Sequence, residues 1–164
     1  MKPPIGNRTH WLTDCLLVGL VAGLLHSAMA QQPNTDGPQG AVRGDASYFS
    51  GTVWVKTLVG PNPETDCIVS EVTFGPAART FWHTHPNGQL LIVTQGEGYY
   101  QERGKPIRTI RKGESVTIPP QVEHWHGAGP SGQFVHLAIN PNISRGGAVN
   151  WLRAVTDEED KADY

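Results

Sequence analysis

Cysteine is nearly absent from this chain, with only Cys15 and Cys67 among 164 residues. Cys15 sits in an apolar N-terminal run. If that run is removed, Cys67 has no partner, no intrachain disulfide can form, and the domain must rely on its core. The shortage also tells against a structural zinc site, which is usually closed and built on thiolates. An excess of one charge is lacking too: the formal net charge is −2, which offers nothing to a nucleic-acid backbone. Between residues 48 and 140 there is no strong helical period and no internal repeat. What the chain has instead is punctuation. Its 19 glycines and 13 prolines fall largely in turn-like clusters, which favours many short strands over long helices. The length suits one domain with a real core.

The first thirty residues read differently from the rest. Lys2 and Arg8 precede CLLVGLVAGLLHSAMA, residues 15–30, which ends in Ala28-Met29-Ala30. A basic start, a short apolar run and a small-x-small ending make the pattern of a secretory signal peptide cleaved after Ala30. The expected location is therefore secreted or periplasmic, with no membrane association after cleavage. A retained anchor is the alternative, but the run is short for a bilayer span and His26 interrupts it. Residues 31–46, QQPNTDGPQGAVRGDA, are polar and read as a flexible leader. The folded domain is expected over residues 47–164.

From Tyr48 onward the pattern is short strands and turns. Strand-like runs are GTVWVKTL (51–58), CIVSEVTF (67–74), TFWHTH (80–85), QLLIVTQ (89–95), YYQE (99–102), IRTI (107–110), SVTI (115–118) and FVHLAIN (134–140). Such spacing predicts an all-β sandwich or barrel. Cys67 is expected to be a small buried apolar residue. Towards the C-terminus, NWLRAV reads as a last strand. Thr156 and Glu159 have the spacing of a capping box, which predicts a short terminal helix with a solvated charged face.

After the N-terminal segment, histidine occurs only at His83, His85, His124, His126 and His136. The first four form two His-x-His pairs, and the fifth lies mid-strand. On a strand, residues two apart point to the same face, so His83 and His85 can aim at one point. On a helix the same spacing would splay them. The turn Pro86-Asn87-Gly88 brings Gln89 back beside the pair, and His124 is the best candidate to complete the set. Three imidazoles and an amide oxygen suit a divalent transition metal with open coordination positions. Trp82 and Trp125 alternate with the histidines and should face away from the metal, as core or interface residues. Trp54 could face either way.

The order Gly75, His-x-His at 83–85, Gln89 and Gly96, then Gly113, Pro119 and His124, closing at Asn140, resembles the two motifs of the cupin superfamily. These are small β-barrels, also called jelly rolls, that usually hold one metal. The resemblance spans residues 48–160. The stretches ARTFWHTHPNGQLLIVTQGEG and IPPQVEHWHGAGPSGQFVHLAIN are most similar to the small bacterial cupins that include manganese-dependent hydroxynitrile lyases, the (R)-mandelonitrile lyase-like group. The resemblance implies metal ligands His83, His85, Gln89 and His124. It implies Mn(II), with Fe(II), Ni(II) or Zn(II) as alternatives. It further implies His136 as the pocket base, with His126 and Asn140 completing the catalytic set. Ser70, Val72 and Ala138 would shape the substrate pocket. A small-molecule substrate and a homodimer or homotetramer follow from the same likeness. The chain departs from the group at Asn140, where those lyases carry glutamine, and at Ser70, where small apolar residues occur.

Most cupins carry a carboxylate where Gln89 stands. A neutral ligand set leaves the full charge on the metal and makes it a stronger Lewis acid. It also makes an oxidised metal less favourable, which argues for lyase chemistry over oxygen activation. Cyanohydrin cleavage needs a base for the hydroxyl proton, and imidazole suits it because its ordinary pKa is about 6.5. His136 shares a strand face with Ala138 and Asn140. The alternative role for His136 is to orient a ligand from outside the coordination sphere. Two other readings stand beside the lyase: a cupin dioxygenase or other oxidoreductase, and a non-catalytic periplasmic cupin that binds a small molecule.

Overall fold

The computed structural model describes residues 37–160. The expected signal peptide, Cys15 and the first residues of the expected leader lie outside the described residues, as do residues 161–164. In chain order the strands are β1 (Val42–Arg43), β2 (Phe49–Ser50), β3 (Val53–Val59), β4 (Cys67–Phe74), β5 (Arg79–Thr80), β6 (His83–Thr84), β7 (Gln89–Gln95), β8 (Glu97–Glu102), β9 (Arg108–Arg111), β10 (Ser115–Ile118), β11 (His124–Ala128), β12 (Phe134–Pro141) and β13 (Asn150–Trp151). One antiparallel sheet runs β1-β3-β4-β12-β7-β10. The other runs β13-β6-β11-β5-β2, with β8 and then β9 extending it from β11. The two curled sheets form the all-β barrel expected from the sequence.

Alternation along the strands decides what faces the barrel interior. On β7, Gln89, Leu91 and Val93 are buried while Leu90 and Ile92 are exposed; on β10, Val116 and Ile118 are buried between Ser115 and Thr117. Because the side-chain period is two, one face of each strand must be inward throughout. The inward residues Phe74, Leu91, Ile110, Ile118 and Phe134 are packed into one core cluster. Gln89 therefore occupies a position whose register neighbours are apolar. The same holds for His136 on β12, between Phe134 and Ala138.

Four local expectations differ from the structure. Strand β11 is absent from the strand-like runs read from the sequence, although the sequence alternates at His124-Trp125-His126; it forms with both faces covered, all five residues buried. Val42–Arg43, expected within a flexible leader, pairs with Val55 and Trp54 as an edge strand, since a free sheet edge accepts any extended segment that reaches it. The predicted terminal helix is a single turn among the described residues: Thr156 and Glu159 do form a capping box, with Glu159 N donating to Thr156 Oγ1 at 3.3 Å and Thr156 N donating to Glu159 Oε2 at 3.0 Å, but no helix is formed through Asp160. Among the described residues, helical order is confined to a 3-10 turn at Ile143–Arg145. Cys67 is half-buried, not buried, because it opens β4 opposite Pro141 at the sheet's end.

The outer face of the second sheet carries its own small core. Trp82, Tyr99, Trp125 and Val155 pack together there, with the Arg103 guanidinium 4.3 Å from the Trp82 ring centroid. The tryptophans thus face away from the histidines, as the alternation predicts, and are covered by the chain's own C-terminal segment. Trp54 is half-buried, with the Arg43 guanidinium 5.6 Å from its ring centroid.

Candidate metal centre

The turn at 85–88 sets the centre's geometry. Gly88 N donates to His85 O at 3.2 Å, and Gly88 has φ +80°, a conformation that suits glycine. A Cβ there would lie 2.6 Å from Ile118 O, so the turn excludes side chains on two grounds. Asn87 Nδ2 donates to Asn142 O at 2.7 Å and holds the turn against the 3-10 segment. The outcome is that β6 and β7 deliver His83, His85 and Gln89 to one place. Strand β11 supplies His124 directly opposite His83 in register.

His83, His85 and His124 are 1%, 3% and 0% exposed. One ring nitrogen from each lies within 4.8 Å of the others. Their orientation is fixed from behind by the backbone. The Nδ1–H of His83 donates to Phe81 O at 2.9 Å, that of His85 to Ala148 O at 2.5 Å and that of His124 to Val122 O at 2.9 Å. Each Nδ1 is thereby committed as a donor, and each Nε2 keeps its lone pair for the interior, an arrangement typical of ligand imidazoles. Among the described residues, His85 Nε2 is buried with no partner in hydrogen-bond geometry, though the Gln89 amide lies near it; such burial would be costly unless something else binds it. Gln89, 5% exposed, lies beside the three histidines: its Oε1 is 3.2 Å from His124 Nε2, and its Nε2 donates to Asn140 Oδ1 at 3.1 Å. The three histidines fit a divalent cation.

Burial lowers the pKa of all five imidazoles. His83 is held well below the ordinary value, first by burial and then by His124 and His85. His124 is lowered to about 4 by burial, against the Val122 carbonyl. His85 is lowered by burial, opposed by Ala148 and by Gln89. His126 is pushed well below by burial and then by His136. His136 is lowered to about 4 by burial, opposed by the Leu137 backbone. All are neutral at neutral pH, the state needed for binding a metal or accepting a proton.

The group opens on a cavity of about 240 Å³. Its lining includes His83, His85, Gln89, His126 and Asn140, together with Ser70, Val72 and Ala138 on the face formed by β4 and β12. Among the described residues, no carboxylate lines it. His136, expected to be the pocket base, does not line the cavity; it is fully buried behind His126, with its Nε2 3.1 Å from His126 Nδ1. The reason is steric: Phe74 and Phe134 pack on the His136 ring at centroid distances of 5.5 and 5.3 Å. His126 Nε2 is buried without a protein partner.

Sequence reasoning missed one wall of the cavity. Phe49 and Trp151, from opposite ends of the domain, line it beside Ala148 and Val149. The Trp151 ring stacks on Tyr48 at 4.8 Å, meets Phe49 edge-on at 5.4 Å and lies 4.9 Å from the His83 ring. Its place follows from the pairing of Trp151 with His83 between β13 and β6. A tryptophan within a strand-like run was the only local signal, and it names no neighbour.

Comparisons with known proteins agree with this fold. Residues 70–139 match the cupin domain family model. Over 124 residues the chain is 45% identical to the (R)-mandelonitrile lyase of Granulicella tundricola, covering 75% of this chain and 93% of that protein. A solved cupin-like protein from Thermotoga maritima superposes with a TM-score of 0.73 and 46% identity, over 78% of this chain and 98% of that one. The polyketide cyclase RemF from Streptomyces resistomycificus shares the fold, with a TM-score of 0.54 and 19% identity over 74% of this chain and 79% of its own.

Proposed function

The chain belongs to the cupin family, and from that premise we propose that it is a metal-dependent lyase of hydroxynitrile type. It would cleave or form the C–C bond of a cyanohydrin at a centre of His83, His85, His124 and Gln89 holding Mn(II). The observation that carries this reading is a cavity on which buried, neutral imidazoles converge and which no carboxylate of the described residues lines, together with the identity to a mandelonitrile lyase. A bound divalent metal supplies positive charge that lowers the pKa of a substrate hydroxyl.

The remaining work falls to the chain's own residues. His126, not His136, takes the role of base, because His126 lines the cavity and His136 lies behind it. If the His126 Nδ1–H donates to His136 Nε2, the lone pair of His126 Nε2 faces the substrate. That nitrogen accepts the hydroxyl proton as the carbonyl forms. The C–C bonding pair leaves with the nitrile carbon as cyanide. The imidazolium then returns its proton to cyanide, and hydrogen cyanide and the aldehyde depart. His136 shares the transient charge through its hydrogen bond and is a positioning residue. Val72, Ala138, Phe49 and Trp151 exclude water and offer an apolar surface to an aryl or small alkyl group.

The experiment is an assay of metal-stripped protein reloaded with Mn(II), with mandelonitrile at acidic pH, following benzaldehyde. The reloaded protein should turn over above the stripped control. His126→Ala should lose roughly 10²- to 10⁴-fold in kcat, the usual worth of a positioned base, while retaining the metal. No benzaldehyde above the stripped control would sink the proposal.

A further inference from the structure

The hydrogen bond between Gln89 and Asn140 addresses a problem that the histidines do not have. Once its Nδ1–H is tied to a carbonyl, an imidazole can present only Nε2. A carboxylate presents oxygen whichever way it turns. A primary amide has two unlike ends: its oxygen can bind a cation and its NH2 cannot. A half-turn about one bond would put the wrong end at the centre.

In this structure Gln89 Oε1 faces the histidines, 3.2 Å from His124 Nε2, while its NH2 points the other way and donates to Asn140 Oδ1 at 3.1 Å. Gln89 is 5% exposed, so an NH2 deprived of its acceptor would be buried unsatisfied. The cross-strand neighbour of Asn140 on β4 is Ile68, which offers no substitute. Both residues sit at inward positions, Gln89 opening β7 and Asn140 near the end of β12, so the barrel wall holds them together.

We propose that Asn140 is a positioning residue of the metal centre, which keeps the oxygen of Gln89 turned towards the three histidines by accepting its Nε2–H. The proposal rests on the reading of Gln89 as fourth ligand. It assigns Asn140 a task in metal binding distinct from any contact with substrate, and it predicts a coupling that a merely structural residue would not show.

The test is Mn(II) titration of the metal-stripped full chain, with free Mn(II) counted by electron paramagnetic resonance. Thermal unfolding of each stripped variant checks the fold. Asn140→Leu removes the acceptor and should weaken Mn(II) binding about 10- to 100-fold, the usual effect of losing an outer partner. Asn140→Asp keeps an acceptor and should show no loss. In the Gln89→Glu background no donor atom has to be selected, so adding Asn140→Leu should cost no more than about twofold, the range of uncoupled sites. If Gln89→Glu alone leaves affinity unchanged, the ligand reading fails and the proposal with it. If Gln89→Glu shifts affinity but Asn140→Leu costs nothing, or costs the same in both backgrounds, Gln89 stands as ligand and the positioning role is overturned.

Discussion

The two faces of the β6–β11 sheet are built from the same alternating residues and end in opposite states. On the outer face, polar groups find partners among the described residues, with Arg79 Nε the exception. Trp82 Nε1 donates to Glu159 at 3.3 Å and Trp125 Nε1 to Gln101 at 2.7 Å. Arg153 pairs with Glu159 at 2.5 Å, and Arg79 with Asp157 and Asp160 at 2.9 and 2.8 Å. On the inner face, His85 Nε2, His126 Nε2 and His136 Nδ1 are buried with no hydrogen-bond partner among the described residues. A buried polar atom without a partner costs free energy that folding alone does not return. The outer face therefore reads as a packing surface held by ion pairs to the C-terminal segment, and the inner face as one where a ligand can satisfy the cavity-lining nitrogens of His85 and His126.

The largest effect expected from this contrast is at the inner face. His124→Ala removes one of three converging imidazoles and should reduce retained metal to background, measured by elemental analysis, while the fold persists. Metal retained at the native level would break the comparison at its root. The outer face should respond in the opposite sense. Trp125 is 0% exposed, and Trp125→Ala should cost about 3–5 kcal/mol of stability, read by denaturant unfolding, with metal content per folded molecule unchanged. Loss of metal from that variant, once folded, would mean that the two faces are not separable.

The smallest expected effect concerns pH. Burial holds the His136 pKa at about 4 in the folded protein, whereas an unfolded histidine titrates near 6.5. Between these values the unfolded chain binds more protons than the folded one, so stability falls as pH falls. Metal-free protein should be most stable above about pH 6.5 and lose on the order of 3 kcal/mol from this residue by about pH 4. His136→Phe, which has no proton to take up, should flatten that slope. An unchanged slope would place the acid sensitivity elsewhere. The outer face, whose Glu159 carboxyl is held at about 2 by Arg153 first, should contribute little over the same window.

Legibility varied with how local the cause was. Strands β4, β7 and β10 begin and end where the hydrophobic pattern places them, because alternation and turn residues act within a few positions. The ligand histidines were legible for the same reason: two-residue spacing on a strand puts both rings on one face. Strand β11 was not, since its burial on both sides depends on segments far away in the chain. The Trp151 wall was not, since it depends on the register between β13 and β6. The position of His136 was half legible. Its inward face follows from alternation, but its place behind His126 follows from how Phe74 and Phe134 fill the space around it.

By itself, the sequence determined the all-β class, the inward face of each strong strand and the residues able to hold a metal, because these rest on period, turn chemistry and donor type. Only the tertiary structure decided which imidazole meets the cavity, which residues wall it and which end of the Gln89 amide faces the histidines. Those outcomes turn on distances of a few ångströms between strands far apart in the chain, and no local pattern encodes such distances.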